Sequence, residues 1–198
     1  MDILLFGGFL GSGKTSVILQ LAKYLIETRN ETVAIIENEI GQTGIDDQVI
    51  AQQGLKVKGV FAGCVCCQIT GELVAAIDEI HTTVNPDWLI IETTGLAVPR
   101  KIVTLLQNQC RSFEALKTIV LTDVSRWTAI MEVVEPLVVS QIEAADVIII
   151  NKVDLASEDT IRALKNDLEQ INQNAAIFEL NADNGIDEVK LRGLVQYE

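Results

Sequence analysis

Gly8-Phe9-Leu10-Gly11-Ser12-Gly13-Lys14-Thr15 separates an apolar run, Ile3-Leu4-Leu5-Phe6, from a helical pattern carried by Val17, Ile18, Leu21, Ala22 and Leu25. The stretch matches the G-x-x-x-x-G-K-[ST] spacing of a phosphate-binding loop and stands where such a loop must stand, between a strand and a helix N-terminus. Glycines let the backbone curl until successive N–H groups face inward. The octet therefore predicts a cradle for phosphate oxygens built from Gly8, Gly11, Ser12 and Gly13, continued by Ser16 at the helix start. Lys14 would reach the β- and γ-phosphates, and the Thr15 hydroxyl would ligate Mg²⁺. A glycine-rich strand-to-helix turn is the plain alternative; the Lys-Thr pair and the flanking elements weigh against it.

Outward from this loop, apolar runs and helical patterns alternate. Strands are predicted over 2–6, 32–36, 56–61, 88–91, 117–122, 146–150 and 176–180. Helices are predicted over 14–27, 71–84, from Pro99 onward, 132–142, 157–171 and 186–197. The runs Thr32-Val33-Ala34-Ile35-Ile36 and Val147-Ile148-Ile149-Ile150 are almost wholly apolar, as strands covered on both faces must be. The run from Lys56 reads as an edge strand or hairpin member. Ser157 is placed to cap a helix, Pro99 to start one, and Pro136 to sit in a first turn. Strands separated by helix-length patterns predict an α/β chain: a three-layer P-loop NTPase fold with a mostly parallel central sheet, with 1–198 as one domain.

Composition narrows the function classes. In 198 residues, 48% apolar, a disordered chain is not expected. Fifteen basic against 28 acidic residues give a net charge of -13, which argues against nonspecific binding to nucleic acid or anionic membrane. The only early apolar run follows Asp2 and is consumed by the first strand, so neither a targeting segment nor a membrane span is expected, and a cytoplasmic location is. Of four cysteines, Cys64, Cys66 and Cys67 are clustered and Cys110 stands alone, a pattern of a reducing compartment with a metal or redox site.

Two further motifs fall at strand ends. Asn151-Lys152-Val153-Asp154 fits N-K-x-D. The Asp154 carboxylate can accept from the ring N–H and exocyclic amine of guanine, a donor pair that adenine lacks, so GTP and GDP are the expected ligands. Asn151 would hold the loop and touch the base edge, the Lys152 methylenes would pack along the purine, and Asn181-Ala182 would offer a backbone N–H to the guanine oxygen. Glu92 is placed to hold the Mg²⁺ hydration shell or orient water, and the Gly95 N–H to meet the γ-phosphate. In the acidic loop 37–47, Glu39 and Asp46 are candidates for sensing Mg²⁺ or water. No arginine is placed by the sequence as a finger, so hydrolysis is expected to be slow without a partner or metal.

A straight strand would put Cys64 and Cys66 on one face and Cys67 on the other, but Gly63 permits a turn that lets all three converge. Thiolates favour Zn²⁺, the first expectation here, Cu⁺ and, in suitable geometry, Co²⁺ or Ni²⁺. An incomplete ligand set suits handover of the metal. Vicinal-thiol redox chemistry and ordinary buried cysteines are the alternatives. Cys110 reads as packing, and His81 as a surface or packing residue.

These motifs together, with Glu37-Asn38-Glu39-Ile40-Gly41, Ile45-Asp46, Gly63-Cys64-Val65-Cys66-Cys67 and Glu92-Thr93-Thr94-Gly95-Leu96-Ala97, resemble the CobW-like GTPases. These belong to the metallochaperone branch that includes the urease and hydrogenase nickel-insertion GTPases. The resemblance covers essentially the whole chain and implies a GTP-hydrolysing metal-delivery protein that serves a client metalloprotein or corrinoid protein, often as a nucleotide-linked homodimer. It assigns Glu39 and Asp46 to the first switch, Glu92 to the second, and Cys64, Cys66 and Cys67, with Glu37 as a contributor, to a transition metal. The family commonly has Phe at the position of Ile40 and an acidic or amide residue at that of Val98. Many relatives continue into a smaller C-terminal domain and a His-rich stretch, so the resemblance implies either a minimal chaperone or the GTPase portion of a larger assembly. A regulatory GTPase with a cysteine switch and a P-loop small-molecule kinase are the competing functions; the N-K-x-D motif speaks against the kinase.

Overall fold

The computed structural model describes residues 1–37, 56–57 and 70–196. Among the described residues seven strands form one sheet: β1 (Asp2–Gly8), β2 (Val33–Glu37), β3 (Lys56–Val57), β4 (Trp88–Glu92), β5 (Leu116–Asp123), β6 (Val147–Asn151) and β7 (Ala176–Glu179). Their order is β3-β2-β4-β1-β5-β6-β7, and every neighbouring pair is parallel. Parallel neighbours cannot be joined by hairpins; helical crossovers link most of them and cover both faces. The crossover helices are α1 (Lys14–Glu27), α2 (Thr70–Thr83), α3 (Pro99–Gln109), α4 (Trp127–Glu143) and α5 (Glu158–Ile171); α6 (Glu188–Val195) follows β7.

Alternation along β1 sorts its side chains between the two outer layers. Leu4 and Phe6 pack with Ile18, Leu21 and Leu25 of α1 and Leu194 of α6. Ile3 and Leu5 pack on the opposite face with Ile77 and Ile80 of α2 and Leu106 of α3. Farther along that side, Ile148 and Ile150 of β6 meet Val138, Ile142, Leu164 and Leu168 of α4 and α5. Each such burial contributes about 1.5–3 kcal/mol, so the uninterrupted apolar strands are the main anchor of the three layers. Cys110 is a buried thiol in the α2–α3 cluster, which is the packing role expected of it.

Local chemistry sets the ends of the helices. Ser157 caps α5, its hydroxyl accepting from the Thr160 N–H at 3.2 Å, and Pro99 is the first residue of α3. The fourth helix begins earlier than its sequence pattern predicts, at Trp127, and breaks at Val134 (φ -140°, ψ 35°). Pro136 lacks an N–H and its ring would clash with the carbonyl four residues back, so it kinks the helix and opens its second segment. The strand expected from residue 56 is Lys56–Val57 among the described residues; it runs parallel to β2 at the edge of the sheet.

Traced along the chain, the strand order reverses direction at β1: β2, β3 and β4 lie to one side, and β5, β6 and β7 to the other. Ligands of open parallel sheets bind beyond the C-terminal strand ends at such a reversal. Gly8, Glu92, Asp123 and Asn151 are the last residues of the four strands that meet there.

Candidate nucleotide site

The loop after β1 is shaped by its glycines. Gly8 (φ 124°) and Gly13 (φ 95°) adopt left-handed conformations, and a Cβ at either position would collide, with the Leu121 carbonyl oxygen and the Asn151 amide respectively. The Ser12 N–H donates to the Phe9 carbonyl at 3.1 Å and closes the tip. Lys14 is buried, and its Nζ donates to the carbonyls of Gly8 at 3.0 Å and Phe9 at 3.3 Å. Charge-assisted bonds to phosphate are stronger than bonds to neutral carbonyls, so the ammonium is placed to exchange one for the other.

Glu92 reaches this loop because β4 runs beside β1, in register at Phe6 and Glu92. The Thr15 hydroxyl lies 3.1 Å from each oxygen of the Glu92 carboxylate, which is only 4% exposed. A hydroxyl and a buried carboxylate beside a phosphate cradle are hard oxygen donors, the set that Mg²⁺ takes together with phosphate oxygens. The residues present therefore fit the ion. Two more hydroxyls, Ser12 Oγ and Thr94 Oγ1, are buried in these loops without a hydrogen-bond partner among the described residues. Buried orphans of that kind are rare unless a ligand or water satisfies them. Gly95 packs directly on the loop: a Cβ there would stand 2.7 Å from the Leu10 nitrogen.

On the other side, N-K-x-D is tied into the phosphate loop. Asn151 Nδ2 donates to the Ser12 carbonyl at 2.8 Å, while its Oδ1 accepts the Ala182 N–H at 3.0 Å. One buried side chain thus joins the phosphate loop to the loop after β7. Lys152, in a left-handed conformation (φ 61°), donates to the Gly11 carbonyl and to Asp123 Oδ2, each at 2.7 Å. Burial alone would raise the Asp123 carboxyl, but the Lys152 ammonium and the Ser125 hydroxyl and amide outweigh it and hold the group below the usual carboxylate range. Asp154 follows on the exposed side of this turn.

The structure thus brings together Gly8, Gly11, Ser12, Gly13, Lys14, Thr15, Glu92, Gly95, Asn151 and Lys152. The Asn181-Ala182 segment, expected to offer a backbone N–H to the guanine oxygen, donates its Ala182 N–H to Asn151, and the Asp183 N–H goes to the Asn181 side chain at 3.2 Å. Cys64, Cys66, Cys67, Glu39 and Asp46 lie outside the described residues. Glu37, the remaining acidic candidate, ends β2 directly beside Glu92.

Sequence reasoning missed three residues. Gln141 of α4, 2% exposed, donates to the carbonyls of Gly95 at 3.1 Å and Ala97 at 2.8 Å and so fixes the segment after Glu92. Gln20 of α1 donates to the Ala182 carbonyl at 2.7 Å and accepts the Ile186 N–H at 2.8 Å. Arg126, at the start of α4, donates to the Leu10 carbonyl at 3.1 Å. The one available signal was Gln141 itself, an amide among the apolar residues of its helix.

Fold and site together define a phosphate-loop nucleotide-binding α/β protein. The family profile described as CobW/HypB/UreG, nucleotide-binding domain, matches residues 2–179, and the chain belongs to that family. The chain is 31% identical over 184 residues to the zinc chaperone YjiA of Escherichia coli (strain K12), covering 89% of this chain and 56% of that protein. It is 32% identical over 163 residues to the zinc chaperone YeiR of the same organism, covering 81% and 49%. The crystal structure of the Zn(II)-bound YjiA GTPase from E. coli aligns with a TM-score of 0.70 at 25% identity, over 99% of this chain and 61% of that one. The chain spans about half the length of the curated relatives it matches.

Proposed function

We propose that this chain binds and hydrolyses GTP and couples its nucleotide state to delivery of a transition metal to a client metalloprotein. The observation that carries the reading is the double anchoring of N-K-x-D onto the phosphate loop, through Asn151 to Ser12 and Lys152 to Gly11. That anchoring supports base recognition at Asp154 beside phosphate binding at Lys14. Hydrolysis follows water attack on the γ-phosphate, with Lys14 and the loop amides taking up charge as the bond to the leaving oxygen stretches. Mg²⁺, held by the Thr15 hydroxyl and the Glu92 carboxylate, would neutralise the phosphate oxygens.

Zinc is the first candidate for the metal, with Cys64, Cys66, Cys67 and Glu37 as its ligands; Co²⁺ and Ni²⁺ suit the same donors. Two relatives named as zinc chaperones support the choice. A reducing cytoplasm suits clustered thiols, and no helix among the described residues is long and apolar enough to cross a membrane. The test is a titration of Zn²⁺ into nucleotide-free, GTP-loaded and GDP-loaded protein. Different affinities in the three states are expected; equal affinities would end the coupling claim. Asp154→Asn is expected to reduce the preference for guanine over other purine nucleotides in a competition assay.

A further inference from the structure

Three consecutive carbonyls at the tip of the phosphate loop are each held by a side chain from outside it. The Leu10 carbonyl accepts from Arg126 Nη1 at 3.1 Å, the Gly11 carbonyl from Lys152 Nζ at 2.7 Å, and the Ser12 carbonyl from Asn151 Nδ2 at 2.8 Å. A trans peptide is planar, with its C=O and N–H pointing in opposite directions. Fixing each carbonyl outward therefore aims the following N–H, of Gly11, Ser12 and Gly13 in turn, the other way. Donation to the carbonyl also polarises the peptide and strengthens the N–H as a donor. The Ser12 N–H closes the tip onto Phe9; those of Gly11 and Gly13 have no acceptor among the described residues.

Two of the three clamps belong to N-K-x-D; the third does not. The Arg126 side chain is exposed and, among the described residues, makes no ion pair and bonds to the Leu10 carbonyl alone. Lys152, by contrast, is neutralised by Asp123 at 2.7 Å. Arg126 reaches the loop because the turn after β5 is pinned: Asp123 accepts the Ser125 N–H at 3.0 Å, and the Arg126 N–H donates to the Asp123 carbonyl at 3.1 Å. The guanidinium thereby arrives at the tip from a strand end adjoining β1.

We propose that Arg126 is a positioning residue for phosphoryl transfer, holding the Leu10 carbonyl so that the Gly11 N–H faces the phosphate chain where charge grows as the γ-phosphoryl departs. The inference rests on the reading that GTP occupies this loop. An amide that serves developing charge affects turnover more than ground-state binding.

The experiment is steady-state GTP hydrolysis by wild type, R126A and R126K, with binding of fluorescent GTP and GDP analogues and thermal melting of each. R126A is expected to lose about tenfold in kcat, with KM changed less than about threefold. Its melting temperature should stay within about 2 °C of wild type, because the side chain is exposed and outside the apolar clusters. R126K is expected to recover to within about threefold of wild type, since an ammonium can donate to the same carbonyl. Wild-type turnover in R126A would overturn the assignment, and so would R126K as impaired as R126A, because that would mean the planar guanidinium itself contacts phosphate. Wild-type protein that binds no GTP would bring down the reading of the site and the inference with it; wild-type binding with unaltered R126A kinetics brings down the inference alone.

Discussion

Glu37 and Glu92 are register partners on adjacent parallel strands, and each is the last residue of its strand. Neighbouring strands lie about 4.8 Å apart, so the residue proposed for the transition metal stands one strand spacing from the carboxylate that touches Thr15. Two negative groups that close cannot be reorganised independently. If Glu37 contributes to the metal site, Glu37→Ala should weaken zinc affinity about tenfold and shrink the difference between the GTP- and GDP-loaded states, measured by competition with a chromophoric chelator.

Lys14 supplies the buried positive charge of the loop. Lys14→Ala is expected to raise the Kd for GTP by about 10- to 100-fold, from the loss of charge-assisted bonds of about 1.5–3 kcal/mol. Circular dichroism should show the fold retained, because the strands on either side are held by apolar packing. Tight GTP binding by this variant would remove Lys14 from its assigned role.

Asn151 joins two loops through both ends of its amide. Asn151→Ala leaves the Ser12 carbonyl and the Ala182 N–H without those partners, a cost of about 2–4 kcal/mol. Differential scanning calorimetry should record a fall of about 5–15 °C in Tm, and nucleotide should restore less of it than in wild type.

Asp123 makes stability depend on acid. Its folded carboxyl lies below the ordinary value, so its contribution is present above the unfolded carboxylate pKa and is lost as the pH falls through the folded one. Urea midpoints of wild type should therefore decline below about pH 4, and Asp123→Asn should show a shallower decline while being less stable at neutral pH. A variant with the same acid slope as wild type would remove Asp123 from this account.

Gly95 lies against the backbone of the phosphate loop, with room for hydrogen alone. In Gly95→Ala the new methyl would stand 2.7 Å from the Leu10 nitrogen, which is backbone and cannot swing aside. We expect GTP turnover to fall at least about tenfold while the melting temperature changes by only a few degrees.

The layers were legible because strands covered on both faces carry uninterrupted apolar runs, such as Val147 to Ile150, that no amphipathic pattern mimics. Ser157 and Pro99 marked helix starts through local chemistry alone. The phosphate loop and N-K-x-D were legible as spacings. Arg126, Gln141 and Gln20 were not, since each acts through one bond or two to backbone far away in sequence, and no local pattern encodes such a contact. The early start of α4 was missed although Trp127, Ile130, Met131 and Val134 fall at helical spacing on its packed face; the break at Val134 divides the helix and leaves its first part short. The motif likewise gives no hint that Asn151 would accept the Ala182 N–H.

The strand order also dictates when the pocket can exist. The first strand of this sheet is flanked in the finished fold by the fourth and fifth, both made after it, and Asn151 must then span from the phosphate loop to a residue beyond the seventh. A nascent chain carrying the complete glycine loop still lacks the Asn151 bridge until the loop after β7 has been made. Nucleotide bound in this site can therefore assist closure of the sheet only once the loop after β7 has been made.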